Sequence, residues 1–505
     1  MSTRAATSMA EPKKISPDLQ FRRQYLLAPA KLEALRDWAV VAVGPDFYLH
    51  AHPDLAICEA EAGSLRAVLA GFMIDSARPA RSSSEVLQAL LGTAGTGAAI
   101  PDAIFSIGGR WAMFVQEGQS LTAFHDACGL RPIFFYDGPG RHNFWCGSEP
   151  GLLAAFARVK KDQVLLEEFD DAGVFEDREY WWPSPLSGFA QLRRVSPNHS
   201  LTIPTGEVRR YWPKAPLPAL TVEGCAAEVA PMLANEMKAA AARGPLAVTV
   251  TAGLDTRVVL AASKEVATSA WFHTWLLPSM SPSSPDVMIP RKLLASIGQQ
   301  LHVLRCNQKA EPAFAELYQS HAALAHPYWR DIASGLHRGF PEKRLSVKGN
   351  CSEVGRCFFY HDGYPEGEMS VDRLAAFQRG WAHSPQILRA LNEWFPTALE
   401  IEKLCGIGVL DLFYWEHRLG CWQANSQVEW DIAQETFCPF NNRKILAALL
   451  SVPEEARLQS AVHFAIIDQL WPELLQQPIN PKPLLRRVRH WIKKRAKGLF
   501  SARPA

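Results

Sequence analysis

The hexamer Thr251-Ala252-Gly253-Leu254-Asp255-Thr256 holds the chain's densest set of residues able to do chemistry. Hydroxyls at both ends, a glycine that lets backbone approach a ligand, and one carboxylate suit a turn that grips phosphate. Backbone N–H groups and the positive end of a following helix would aim at one point, and Asp255 would hold Mg²⁺ against the phosphates. Such a turn must join a strand to a helix. Leu246 to Val250 are apolar or β-branched, as a buried parallel strand requires, and Arg257 to Ala262 continue as a helix. Small residues occur in many strand-to-helix turns, so the hexamer alone leaves an ordinary α/β turn open.

The elements that must position this turn repeat the same alternation. Thr221 to Arg243 reads as an alanine-rich helix, Ala270 to Leu277 as a strand, Leu293, Leu294 and Ile297 as helical spacing closed by Gly298, and Leu301 to Leu304 as a third strand. Alternating strands and helices predict an α/β architecture: a doubly wound parallel sheet with ligands at the carboxyl ends of its strands. The first part of the chain reads differently. Trp38 to His52 and Ser64 to Ile74 predict short strands, and Ser83 to Leu91 predicts a capped helix. Ile104 to Val115, Leu121 to Asp126, Pro132 to Tyr136 and Asn143 to Cys146 predict hairpins, giving a layered α+β domain. The proline-rich linker Pro213 to Pro218 puts the boundary near 215, so the expected parts are a disordered arm, 1–18, and two domains, 19–215 and 216–505.

Charge narrows the function. With 53 basic and 51 acidic residues the chain offers no support for a nucleic-acid partner, and the balance argues for a small-molecule substrate. The run Arg486, Arg487, Arg489, Lys493, Lys494, Arg495, Lys497 is locally basic, and Trp491 to Phe500 predicts a surface helix. Ten cysteines without a C-x-x-C pair indicate neither a zinc site nor a disulfide framework, but reduced, mostly buried thiols. There is no apolar run long enough for a transmembrane segment and no signal-like start, so a cytoplasmic location is expected.

The hexamer resembles the pyrophosphate-binding loop S-G-G-x-D-S of the ATP-pyrophosphatase superfamily, in the form with Leu before Asp typical of asparagine synthetases. Thr251 and Thr256 replace the serines and Ala252 one glycine. Gly109 to Phe114, then Asp126-Ala-Cys-Gly129-Leu-Arg131-Pro132 running into Tyr136, then Ser148-Glu149, resemble the class II glutamine amidotransferase patterns G-x-F-A, D-x-x-G-x-R-P-L-Y-Y and F-A-S-E. Pro197-Asn198-His199 and Arg210-Tyr211-Trp212 are similar to the turn and R-Y-W that end that domain, with Asn198 at a position suited to positive φ. The resemblance, shared with β-lactam synthetases and lasso-peptide cyclases, implies an Ntn-hydrolase-like domain followed by an ATP-pyrophosphatase domain with added helices.

What this implies is an AMP-forming carbon–nitrogen ligase with ATP and Mg²⁺ as cofactors, a small-molecule or peptide carboxylate and an amine as substrates, and a homodimer as an admissible assembly. ATP contacts would fall to Val250, Thr251, Gly253, Leu254, Asp255, Thr256, Leu277, Lys348 and Gly349, with Val250, Leu276 and Leu277 bordering the adenine. In the stretch Leu345 to Arg356, Glu353 matches the family's second metal-binding carboxylate, so Asp255 and Glu353 would hold Mg²⁺ together. Asp286 matches the Asp opening the second helix, and a plain helix cap also accounts for it. Asp411 to Trp422 resembles the family's Y-x-x-x-R-L helix and makes Glu416 and Arg418 candidates for substrate contact, with His417 packed; Cys438 to Asn442 resembles R-x-P-F-L-D. The later K-x-x-L-R helix is not recognisable, which leaves Arg457 as a substitute.

The departures set the alternatives. Class II glutaminases use an N-terminal Cys, whereas Ser2 follows Met1 here and the first cysteine is Cys58, so a degenerate glutaminase scaffold is expected and ammonia or another amine becomes the acceptor. A glutamine-hydrolysing asparagine synthetase, serving asparagine biosynthesis, is the weaker reading. Asn350 stands where asparagine synthetases have Glu and β-lactam synthetases Tyr, and it cannot take a proton at neutral pH. That motivates a further alternative: a catalytically silent nucleotide- or partner-binding protein.

Overall fold

Along Leu65–Asp75, Val68 and Ala70 turn into one core while Ala67 and Leu69 turn into another, the period-two alternation of a strand buried on both faces. In a computed structural model, which describes residues 15–140, 143–341, 343–360 and 368–481, such strands build three sheets. The first twelve strands are β1 (Tyr25–Ala28), β2 (Ala39–Val43), β3 (Phe47–Ala51), β4 (Ile57–Ala62), β5 (Leu65–Asp75) and β6 (Ile107–Glu117), then β7 (Ser120–His125), β8 (Phe134–Asp137), β9 (Phe144–Gly147), β10 (Arg193–Arg194), β11 (His199–Ile203) and β12 (Glu207–Arg210). They form two antiparallel sheets, ordered β10-β8-β9-β1-β3-β2 and β12-β11-β7-β6-β5-β4. The sheets share a core of Tyr25, Leu27, Leu49, Val68, Phe114 and Leu201, in which the Tyr25 and Phe114 rings meet edge-on at 5.7 Å.

Helix α1 (Ser83–Ala94) packs on β4 and β5. A reciprocal pair of Ser82 and Glu85 starts it and Gly95, at φ 66°, stops it. The expected layered α+β domain is therefore what these residues form. Helix α2 (Gln163–Asp171) had no expectation behind it, because only Leu165 and Phe169 on it are buried; an Asp162 side chain accepting from Leu165 N–H at 3.0 Å starts it.

The second half holds five parallel strands, β13 (Leu246–Thr249), β14 (Trp271–Leu276), β15 (Leu301–Arg305), β16 (Leu345–Val347) and β17 (Thr436–Phe437), in the order β15-β14-β13-β16-β17. The chain starts at the centre, winds to one edge and then crosses to the other, as a doubly wound sheet does. Helix α3 (Val222–Arg243) leads in, α4 (Leu254–Ala262) and α5 (Pro285–Ser296) are the first crossovers, and α6 (Ala461–Leu470) packs on α3 and α4. Helix α5 begins eight residues before the spacing at Leu293 suggests, with Pro285 in its first turn. The helix expected over Asp411 to Trp422 is α-helical only as far as Phe413; Tyr414–Gln423 winds wider, as a π-helix.

Buried polar groups join the two domains. Arg110 forks onto both oxygens of Asp431 at 2.6 and 2.7 Å, Arg131 lies 3.7 Å from the same carboxylate, and the Asn441 side chain bonds Cys128 N–H and Gly109 C=O. All ten cysteines are free thiols, nine of them buried. No described helix is long and apolar enough to cross a membrane. Pro17–Leu19 forms a 3₁₀ turn within the expected arm, while residues 1–14, with Ser2, and the basic run with its helix beyond 481 lie outside the described residues.

Candidate functional site

The hexamer turns from β13 into α4 with Gly253 as the residue capping the helix. Thr256 Oγ1 accepts from Thr251 N–H at 3.1 Å and lies 3.0 Å from Thr251 Oγ1, which in turn accepts from Gly253 N–H at 3.1 Å. The two end hydroxyls thus close the turn on each other. Ala252 N–H donates to Asp286 Oδ1 at 2.9 Å, so the acid opening α5 buttresses the turn. Arg257 holds it from behind, donating to the carbonyls of Leu474, Gln477 and Pro478, and Asn480 N–H donates to Ala252 C=O. The N–H groups of the first turn of α4 have no partners within the helix and carry its positive end.

The second turn packs directly on the first. A Cβ on Gly349 would stand 2.8 Å from Asp255 C and from Thr256 N, a contact only glycine allows. Between the turns lies a cavity of about 260 Å³, lined by Thr249, Thr251, Asp255, Trp275, Lys348 and Glu353 among others. Thr249 ends β13 and Lys348 follows β16, so the cavity opens at the carboxyl ends of neighbouring strands, where the strand order reverses.

Electrostatics single out three groups there. Burial pushes the Lys348 ammonium down to about 7; its Nζ lies 4.0 Å over the Trp275 ring and donates to Thr249 Oγ1 at 3.4 Å. The buried His273 ring, against the same hydroxyl, is held neutral by burial and by Lys348. Burial first, then the Asp255 carboxylate, push the half-buried Glu353 up to about 8. Glu353 Oε2 is shut off from solvent with no hydrogen-bond partner, while the side chain accepts from Tyr414. Asp255 is already engaged: Arg356 Nη1 donates to its two oxygens at 2.7 and 2.9 Å and Ser352 Oγ donates to Oδ1.

The structure therefore gathers Thr251, Asp255, Thr256, Leu277, Lys348, Gly349 and Glu353 around one cavity. Val250 and Leu254 turn their side chains into the core and offer backbone only; Val250 N–H donates to His273 C=O. The remaining candidates fall elsewhere. Glu416 is buried among Arg210, Asn198 and Trp394; burial alone would raise its carboxyl, but Arg210, then His199 and Trp394, hold it at about 2. Arg457 is paired with Asp411 at 3.0 Å. Arg418 stacks 3.8 Å from Trp422 and lines a separate hollow of about 220 Å³ with Phe358 and Phe359. His417 packs between Trp394 and Phe413, as expected. Sequence reasoning missed Arg356, Ser352, Trp275 and Tyr414; a cation three residues after Glu353 in a glycine-bounded turn was the available signal for Arg356.

Fold and site together define a two-domain α/β protein, a layered α+β domain followed by a doubly wound parallel sheet with its crevice at the switch point. No protein-family model matches the chain, and no curated protein does. Among solved structures it is similar to one described as the allosteric regulatory enzyme of purine biosynthesis, at 13% identity over 46% of this chain and 55% of that one, TM-score 0.23. The match thus spans about half that protein's length. It is also similar to glutamine phosphoribosylpyrophosphate amidotransferase from B. subtilis complexed with ADP and GMP, at 12% identity over 74% of this chain and 88% of that one, TM-score 0.23. At those TM-scores neither likeness bears on function.

Proposed function

We propose that this protein is an ATP- and Mg²⁺-dependent ligase that joins a carboxylic acid to an amine, releasing AMP and pyrophosphate. One observation carries the reading: a phosphate-suited turn, the Asp255 and Glu353 carboxylates and the Lys348 ammonium share one crevice at the sheet's switch point. The amides opening α4 and the Thr251 and Thr256 hydroxyls would bind the pyrophosphate portion of ATP, with Lys348 adding a point charge. A substrate carboxylate oxygen would attack the α-phosphorus as the bond to pyrophosphate breaks; the amine nitrogen would then attack the acyl carbon, lose a proton and expel AMP. Ammonia or another amine is the acceptor.

Asp255 and Glu353 fit a divalent cation. The sealed, partnerless Glu353 Oε2 beside a second carboxylate is the environment such an ion relieves. Among the described residues no three His, Cys, Asp or Glu side chains form a cage, so the ion would complete its shell with phosphate oxygens and water. When bound, Mg²⁺ supplies stabilisation of the charge on the departing pyrophosphate.

A second reading, a catalytically silent nucleotide- or partner-binding protein, is favoured by the Arg356 fork, which already neutralises Asp255. ATP/pyrophosphate exchange with Mg²⁺ over a panel of carboxylic acids, wild type against Asp255→Ala, separates the two. Exchange that depends on one acid and disappears in the variant is the expected result; ATP binding without exchange for any acid favours the silent protein.

A further inference from the structure

A second cavity, of about 860 Å³, lies between the two domains and falls within the size range of small-molecule sites. On the sheet side its wall includes Gly244 and Leu345, at the amino ends of β13 and β16, so it faces away from the nucleotide crevice. Gly244 and Thr249 are separated along the strand by roughly 16 Å at 3.3 Å per residue. The opposite wall comes from the layered domain.

Its charge is lopsided. Arg22, Arg23, Arg243, Lys343 and Arg344 line it against the carboxylates of Asp54 and Glu435 among the described residues. Asp54 is taken by Arg22 at 2.5 Å. Arg243 donates to Ser83 Oγ at 2.8 Å and to the carbonyls of Met73 and Arg81, its Nε is shut off from solvent without a partner, and it has no carboxylate within ion-pair distance among the described residues. Arg344 donates to Leu246 C=O at 2.9 Å, and Lys343 is exposed. Burial first, then the adjacent Arg22, push the Arg23 guanidinium down, while Glu435, Asp431 and Asp54 oppose them. Three stretches of chain far apart in sequence bring this excess to one hollow whose floor includes Ile57 and Phe72.

We propose that this interdomain cavity binds a small multivalent oxyanion, a phosphate ester or polycarboxylate carrying an apolar portion. Guanidinium forks suit such oxygens bidentately, and Ile57 and Phe72 offer the apolar contact. Because the walls come from both domains, the ligand binds only the docked molecule and stabilises it by mass action. Binding in this cavity is independent of the nucleotide crevice and needs no turnover there.

Thermal unfolding and titration calorimetry of the full chain test it, with tripolyphosphate in one arm and citrate in the other. Expected is a rise in Tm at millimolar anion in at least one arm, weakened by added salt, and the tighter arm names the oxyanion. Arg344→Gln, which also gives up the bond to Leu246 C=O, and Lys343→Glu, which reverses an exposed charge, should each weaken binding about tenfold. Lys348→Met, in the nucleotide crevice where tripolyphosphate also fits, should leave citrate binding unchanged. No Tm rise in either arm overturns the proposal, as does citrate binding lost in Lys348→Met and kept in the Arg344 and Lys343 variants.

Discussion

At Gly349 the absence of a side chain determines whether two turns can share a ligand. An added methyl would meet the Asp255 and Thr256 backbone at 2.8 Å, and backbone cannot swing aside as a flexible side chain does. Gly349→Ala should therefore spread the turns, weaken ATP binding at least about tenfold and cost about 1–3 kcal/mol of stability. Calorimetry with ATP and denaturant unfolding measure both; unaltered affinity would mean that the two turns do not close on one nucleotide. The sequence made Thr251, Asp255 and Gly349 legible because local turn chemistry dictates their types. It did not reveal that Arg356 grips Asp255, since the partners are 101 residues apart and only the fold brings them together.

Elements were legible where periodicity is local. Three of the five parallel strands, β13, β14 and β15, and helices α1 and α3 follow from apolar spacing and caps, whereas the two-residue β17 is too short to show a period and the widening at Tyr414–Gln423 leaves no periodic trace because tertiary packing around Glu416 selects it. Helix α3 also hides a charge-bearing residue in its buried face. Glu236 is fully buried, accepting from Asn442 Nδ2 at 2.9 Å, and burial raises its carboxyl from 4.5 to about 8, with Asp75 adding and Asn442 opposing. Between those values the folded chain keeps a proton that the unfolded chain has lost, so this residue's contribution to stability falls as pH rises through the window. Glu236→Gln removes that dependence. Urea unfolding across pH should find the variant close to wild type below pH 4.5 and more stable by a few kcal/mol above pH 8, the gap widening by up to about 1.4 kcal/mol for each pH step of one between them. A wild-type curve without that slope would show Glu236 ionised in the fold.

For the whole molecule, a layered α+β part followed by a parallel-sheet part could be read from composition and motifs, but their docking could not. Its centre is Asp431, which Arg110 reaches across 321 residues of sequence, and which also accepts from Gln24 Nε2 at 3.0 Å. Burial would raise this carboxyl, yet Arg110 and Arg131 hold it below the usual range, so the network is charged. The interdomain cavity takes its walls from both domains, which is why nothing local in the chain announces it. Removing one member of a buried ion pair leaves the others uncompensated, which costs about 3–5 kcal/mol, far more than an exposed pair is worth. Asp431→Ala strands two buried guanidinium groups at the domain junction, so the loss should fall on docking before it falls on either core. Calorimetric unfolding should then change from one transition in the wild type to two in the variant, the first at lower temperature. A single transition shifted by less than an exposed ion pair accounts for would place the coupling in apolar contacts instead.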